Sequence, residues 1–125
     1  MLCLIGEPID VGDLVVLRTL PDDRIGLVVF SGDLIESGSS NAKWSLDYVL
    51  KHVISGNYKF AVILGNHDGE STFTRKEVIQ YACSKKGALC SLGDNNIYGN
   101  GNYILNITKY NILANQLIFL DSGGP

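Results

Sequence analysis

Two short apolar runs, each ending in glycine and polar residues, constrain the fold of this chain more than any other feature. The first run covers residues 25–30 and is followed by Ser-Gly-Asp ending at Asp33, and the second covers residues 58–64 and is followed by Gly-Asn-His-Asp at residues 65–68. A helical pattern separates them, and strand, helix and strand within about 40 residues is typical of a βαβ unit with parallel strands. Parallel strands in α/β proteins present their ligand sites at their carboxyl ends. We therefore expect the functional residues in these two loops.

Helix signals flank the second run on both sides. Candidate N-cap residues at 39–41 precede an amphipathic pattern that ends at Gly56. Thr74 and Glu77 have the spacing of a capping box, and an apolar stripe follows them as far as Gly87. The apolar positions of the first pattern recur at helical spacing: Leu46, Val49, Leu50, Val53 and Ile54.

The ends of the chain complete the prediction of an α/β fold, a mixed β-sheet flanked by helices. Residues 2–5 form a short apolar run, and residues 11–20 have apolar positions at helical spacing. The runs 103–107 and 117–120 predict two strands joined by a loop over residues 109–115, in the manner of a hairpin. We treat residues 1–125 as one partial domain.

Charge and composition exclude several classes of function. The net charge of −3 argues against a nucleic-acid partner, and we expect none. Residues 1–125 contain neither a run of about 20 apolar residues that would span a membrane nor the pattern of a signal peptide, so no membrane partner is expected and the localisation is left unknown. We expect the cysteines to be buried thiols. Asn106-Ile107-Thr108 matches an N-glycosylation acceptor, but its place inside a predicted strand favours a purely structural role.

The polar residues of the two loops have the chemistry of a dinuclear metal site. Asp33 can bridge two ions with its carboxylate, and Asn66 offers a neutral carbonyl oxygen to one of them. His67 can protonate a departing alkoxide, and we expect Asp68 to orient its ring by a hydrogen bond. Taken singly, each motif also fits an ordinary turn of an unrelated α/β domain.

Together the two motifs resemble a known family. Residues 31–35 and 64–68 look like the second and third sequence blocks of the calcineurin-like metallophosphoesterases, within the branch of fungal phosphoesterases and plant proteins called probable inactive purple acid phosphatases. The likeness extends over residues 25–125, with further similar segments at 69–75, 101–105 and 117–122.

The resemblance implies a four-layer metallophosphoesterase fold, here incomplete, and a metal-dependent phosphoesterase activity. It implies that Asp33 bridges two metal ions, that Asn66 binds one of them and that His67 assists the leaving group. The ions implied are divalent or trivalent Fe, Mn or Zn, and the implied substrate is a phosphorylated small molecule or a phosphoprotein.

The sequence also departs from the family pattern. In the family, an opening Asp-x-His or Asp-x-Gly block is expected before Asp33. One alignment places Leu2 and Leu4 where the Asp and His of this block belong. The alternative alignment places Asp10-Val11-Gly12 there, which has the letters of Asp-x-Gly. We favour its absence and expect the later histidine blocks to lie beyond Pro125. The 125-residue chain is then an inactive fragment by itself. The alternative is a pseudo-phosphoesterase that acts as a binding module.

Overall fold

A three-stranded mixed sheet forms the centre of the molecule. The computed structural model describes the strand Leu2–Ile5 (β1) and residues 26–124, which include the strands Leu27–Phe30 (β2) and Phe60–Val62 (β3). The strand order is β1-β2-β3, with β1 antiparallel to β2 and β2 parallel to β3. The predicted pair of parallel strands is confirmed. The helical pattern at 11–20 and the alternative opening block at 10–12 lie outside the described residues.

Helix α1, Ala42–Ser55, connects β2 to β3. It begins where predicted, because the Asn41 side chain accepts a hydrogen bond from the Trp44 backbone N–H at 3.0 Å and so satisfies a free donor of the first turn. It ends at Gly56, also as predicted. One face of the helix is fully buried against the sheet, through Ala42, Leu46, Leu50 and Val53.

Helix α2, Arg75–Cys83, follows the loop after β3. The predicted capping box is present: Thr74 Oγ1 accepts the Glu77 N–H at 3.2 Å, and Glu77 Oε2 accepts the Thr74 N–H at 2.7 Å. Val78, Ile79 and Ala82 join the core with α1, whereas the helix ends four residues before the predicted Gly87.

The chain after α2 returns along the free edge of β3. The backbone N–H of Phe60 donates to Gly87 at 2.9 Å, and the Leu89 N–H donates to Phe60 at 2.8 Å. This path brings Cys90 to Cys83, where the two form a disulfide with Cα atoms 5.5 Å apart. The prediction of buried thiols is therefore wrong for this pair, because the sequence did not show that the segment between them folds back.

A two-stranded antiparallel hairpin forms a second, smaller sheet. Its strands are Tyr103–Lys109 (β4) and Ile112–Phe119 (β5). The predicted loop over 109–115 is wrong, because Tyr110 and Asn111, with φ of 52° and 61°, turn the chain in two residues. Positive φ at both central positions is the type I′ geometry that matches strand twist. A register irregularity between Ile107 and Thr108 absorbs the extra residue of β5.

The hairpin is attached to the first sheet through Tyr103 and Phe119. The Tyr103 hydroxyl donates to the Val62 carbonyl at 2.6 Å and accepts from the Val62 N–H at 3.1 Å. Burial of this phenol raises its pKa, although the hydrogen bond with Val62 opposes the shift. The Tyr103 ring stacks on Phe119 with centroids 4.4 Å apart, and Phe119 packs with Leu27 and Ala61. The attachment brings the residues after β5 back toward the loop that follows β3.

The α/β fold class is confirmed, with two helices and two small sheets in the described part of the chain. This architecture is consistent with part of the four-layer fold implied by the resemblance. Neither α1 nor α2 combines the length and the apolar character needed to span a bilayer.

Candidate functional site

The loops that follow β2 and β3 lie in direct contact. Gly32, with φ of 102°, approaches the second loop so closely that a Cβ atom there would lie 2.5 Å from the Gly65 backbone nitrogen. A Cβ atom at Gly65 would in turn clash with the Asp33 carboxylate. Both positions require glycine because each loop occupies the space that the other's side chain would need.

The Asp68 carboxylate joins the two loops. It is completely buried, and each of its two oxygens accepts hydrogen bonds from two backbone N–H groups. Burial raises the pKa of Asp68, and the four donors act in the opposite direction. The donors come from both loops. Oδ2 accepts the N–H groups of Gly65 at 2.7 Å and of Asp33 at 2.9 Å. Oδ1 accepts those of Leu34 at 2.7 Å and of Ile35 at 3.1 Å.

Asp33 lies at the contact between the loops with its side chain exposed. Its φ of 53° is in the left-handed region, which aspartate adopts more readily than most residues. One carboxylate oxygen, Oδ1, accepts the backbone N–H of His67 at 3.0 Å. The structure thus brings Asp33 to the start of the His67 turn. Asn66, the residue before it, is also exposed at this edge.

The His67 ring is held by Glu70 and Ser37. Its Nδ1 lies 3.0 Å from Glu70 Oε2 and 3.0 Å from Ser37 Oγ, and the Ser37 hydroxyl donates to the same Glu70 oxygen at 2.5 Å. The hydrogen bond to Glu70 raises the pKa of the His67 imidazole. The expectation that Asp68 orients this ring is wrong, because the Asp68 oxygens are engaged by the backbone of the two loops.

The contact with a carboxylate also assigns the hydrogen on the ring. A carboxylate with a lowered pKa accepts hydrogen bonds and does not donate them, and the Ser37 hydroxyl holds the pKa of Glu70 below its usual value, as does His67. Nδ1 therefore carries a hydrogen in its contact with Glu70. When the imidazole is protonated, its second proton resides on Nε2.

Sequence reasoning missed Glu70 and Ser37 as partners of the ring. A turn places Glu70, since its N–H donates to the His67 carbonyl at 3.0 Å and brings the two side chains together. The signal for it was the Asp-Gly pair between them, which favours a tight turn. Ser37 carried no such signal: it is thirty residues from His67, and its position depends on the contact between the loops.

An ion pair between the partly buried Arg75 and the buried Asp121 supports the second loop from the opposite side. Arg75, the first residue of α2, donates from Nη1 to the Gly65 carbonyl at 2.7 Å and from Nη2 to the Asp121 carboxylate. Burial by itself raises the pKa of Asp121, but the Asn100 N–H, Arg75 and the Gly123 N–H together lower it below its usual value. The end of the hairpin is thereby connected to the loop that contains Asn66 and His67.

Two exposed side chains of the two loops carry oxygen atoms of the kind that bind metal ions. Asp33 offers a carboxylate and Asn66 an amide carbonyl, both of which suit hard or borderline cations. Within residues 26–124, no three or more His, Cys, Asp or Glu side chains are grouped so as to hold an ion. Asp33 and Asn66 thus have the donor chemistry of two metal ligands.

Comparison with known proteins identifies the family. The family model described as calcineurin-like phosphoesterase matches residues 11–125. This chain belongs to the calcineurin-like phosphoesterases. The resemblance seen in residues 31–35 and 64–68 is confirmed. No solved structure matches the chain.

The curated relatives belong to the branch that the sequence motifs indicated. The chain is 32% identical over 117 residues to probable inactive purple acid phosphatase 29 of Arabidopsis thaliana, with 85% of this chain and 30% of that protein covered. It is 31% identical over 97 residues to probable inactive purple acid phosphatase 14 of the same plant, with 72% and 24% covered. It is 32% identical over 117 residues to phosphatase DCR2 of Saccharomyces cerevisiae, with 86% and 20% covered. The chain therefore spans less than a third of the length of these relatives.

Proposed function

We propose that the two loops form one side of a dinuclear metal centre that hydrolyses phosphate esters. Asp33 and Asn66 would hold ions of the Fe, Mn or Zn type, and His67 would donate a proton to the leaving alkoxide. When bound, such ions act as Lewis acids that polarise a phosphoryl oxygen. The observation that carries the proposal is the hydrogen bond from the His67 N–H to Asp33 Oδ1. This contact supports the proposal that Asp33, as a metal ligand, and His67, as a proton donor, belong to one site.

The partners of the His67 ring support its proposed role. Glu70 and Ser37 hold Nδ1, which fixes the ring and directs the acidic proton to Nε2. The hydrogen bond to Glu70 raises the pKa of the imidazole, which extends to higher pH the range in which it can act as a general acid. Glu70 acts as a positioning residue, since it reaches the reaction only through the ring.

Asp68 and Arg75 are proposed to act on the geometry of the site rather than on the substrate. Asp68 fixes the spacing of the loops by accepting N–H groups from both of them. Arg75 fixes the Gly65 carbonyl, directly before the proposed ligand Asn66. The substrates proposed are phosphorylated small molecules or phosphoproteins, as the family implies.

The decisive experiment compares Asp33→Asn with His67→Ala in protein expressed from the full coding sequence. Asp33→Asn removes the charge that would hold the ions, so metal content and turnover should both fall. His67→Ala should leave the metal content unchanged and reduce turnover of an alkyl phosphate by about 10²-fold or more. An aryl phosphate such as p-nitrophenyl phosphate should be affected much less, because its leaving group needs little protonation. Metal content by elemental analysis and rates on both esters provide the readout.

His52→Ala is the matched control, since His52 lies near the end of α1 that leads into β3, away from the two loops. It should change neither metal content nor rate. The 125-residue chain alone is expected to bind metal weakly and to hydrolyse p-nitrophenyl phosphate poorly, because residues 26–124 supply two of the proposed ligands, Asp33 and Asn66. Robust hydrolysis by that chain, abolished by Asp33→Ala, would contradict the proposal that the two loops form only one side of the metal centre.

A second candidate function, a binding module without catalysis, is favoured by the names of two of the relatives, which include the word inactive. It predicts normal metal content with no hydrolysis of either ester. It also predicts that His67→Ala has no effect on any rate. That pattern would replace the hydrolytic proposal.

A further inference from the structure

Asn106, Ile107 and Thr108 form the one Asn-x-Thr/Ser sequence of the whole chain. All three lie in β4, where exposure alternates with the pleat. Asn106 and Thr108 are two residues apart and both exposed, so the amide and the hydroxyl share one face of the hairpin. The position inside a strand, which argued against use of the sequence, therefore does not bury it.

The hydrogen bonding of Asn106 leaves its nitrogen suited to modification. Its Oδ1 accepts a hydrogen bond from Gln116 Nε2 at 2.9 Å, across the strand pair. N-glycosylation uses the other atom of the amide, Nδ2, and retains the carbonyl oxygen. A glycan on Nδ2 is consequently compatible with the Gln116 contact and with the folded hairpin.

The surroundings of Asn106 are apolar and exposed. Ile104 and Ile118 are direct cross-strand partners next to the Asn106 and Gln116 pair, and they are 56% and 63% exposed. Direct partners project to the same face of a strand pair, so these isoleucines lie beside the amide. A hydrated oligosaccharide at Asn106 would cover apolar surface that otherwise faces water.

The disulfide between Cys83 and Cys90 is an independent observation that concerns the compartment. Disulfides form and persist in oxidising environments, chiefly those of secreted proteins. The same compartments contain the enzymes that attach oligosaccharides to Asn-x-Thr/Ser sequences. The disulfide and the acceptor sequence are thus both consistent with passage through the secretory pathway.

We propose that Asn106 is an N-glycosylation site and that the protein enters an oxidising secretory compartment. The co-reactant is an oligosaccharide linked to a lipid diphosphate. Asn106 Nδ2 forms a bond to the anomeric carbon, the bond from that carbon to the diphosphate oxygen breaks, the lipid diphosphate leaves, and the amide proton passes to a base. The inference does not depend on the proposed phosphoesterase activity.

The test is made on protein expressed from its full coding sequence in eukaryotic cells. Treatment with peptide N-glycosidase F should increase the electrophoretic mobility and convert residue 106 to aspartate, which mass spectrometry of the tryptic peptide detects. Asn106→Gln should abolish the mobility change. Protein that shows no mobility change, and whose residue 106 is an unmodified asparagine, would overturn the proposal.

Two variants at Thr108 guard against a folding defect. Thr108→Ala keeps Asn106 but destroys the acceptor sequence, so the mobility change should be lost, whereas Thr108→Ser keeps the acceptor and should retain it. Asn115→Gln is the matched control, because Asn115 is exposed on the same hairpin and is followed by no acceptor hydroxyl. A mobility change that survives in Thr108→Ala would place the glycan elsewhere and contradict the assignment.

Discussion

The unit formed by β2, α1, β3 and α2 and the hairpin formed by β4 and β5 bury their residues very differently. Six of the seven residues in β2 and β3 are buried, the seventh only partly. In β4 and β5 only Phe119 is buried, and large apolar residues such as Ile112 remain exposed. The first unit is a core whose loops carry the candidate site, and the hairpin is a surface element attached to it through Tyr103 and Phe119.

The difference reflects how far apart in the sequence the interacting groups are. Asp68 accepts hydrogen bonds from N–H groups up to 35 residues away, so it connects loops that no local signal would bring together. The hairpin is held by a two-residue turn and by neighbours across the strand pair. Substitutions should therefore be costly in the first unit and well tolerated in the hairpin.

The largest effect is expected for Asp68→Ala. Four backbone N–H groups would lose their acceptor in a buried site, and each unsatisfied donor costs about 1 to 3 kcal/mol, so a loss of about 4 kcal/mol or more is expected. Urea denaturation measures it, with circular dichroism to detect outright unfolding. Asp94→Ala is the control, because Asp94 is exposed and its carboxylate accepts hydrogen bonds from the nearby Asn96. Equal losses for the two variants would mean that Asp68 does not join the loops.

A smaller but still large effect is expected for Leu46→Ala in α1. Leu46 is fully buried, and truncation of a buried leucine costs about 2 to 5 kcal/mol. The comparison is Ile118→Ala in β5, where the side chain is 63% exposed and the change should stay within about 0.5 kcal/mol. If Ile118→Ala proved as costly as Leu46→Ala, the hairpin would have to be regarded as part of a core.

Cys83→Ser should lower the free energy of unfolding by roughly 2 to 3 kcal/mol, because the disulfide closes a short loop and restricts the unfolded chain. The cysteines are separated by seven positions in the sequence. Cys90→Ser should match it, and both variants should equal the parent protein once a reductant is added. A deficit that persists under reducing conditions would assign the effect to packing of the side chain instead of the disulfide.

The smallest effect is expected for Thr74→Ala at the start of α2. Loss of the hydroxyl that accepts the Glu77 N–H should cost about 1 kcal/mol because that donor is otherwise unpaired at the helix end. Thermal denaturation of Thr74→Ala beside Thr74→Ser isolates the hydroxyl, since serine retains the cap. A full loss in Thr74→Ser would show that the methyl group matters more than the hydrogen bond.

The sequence by itself determined the elements whose signals are local. The caps of α1 and α2 lie where Asn41, Gly56, Thr74 and Glu77 predict them, because a cap is made by side chains within a few residues of the backbone groups they satisfy. The parallel pairing of β2 and β3 followed from the apolar runs and the helix between them. The same pattern located the two loops that contain Asp33, Asn66 and His67.

Only the tertiary structure decided which groups meet within those loops. Asp68 was expected to orient the His67 ring, but its carboxylate accepts hydrogen bonds from backbone N–H groups instead. Nearly every residue has such an N–H group, so the pattern of side chains in the sequence does not predict which of them will lie near Asp68. Ser37 reaches the ring because the Gly32 and Gly65 backbones pack together, and Cys90 reaches Cys83 because the chain returns along β3. Contacts of this kind depend on the packing of the whole unit, which a linear pattern does not contain.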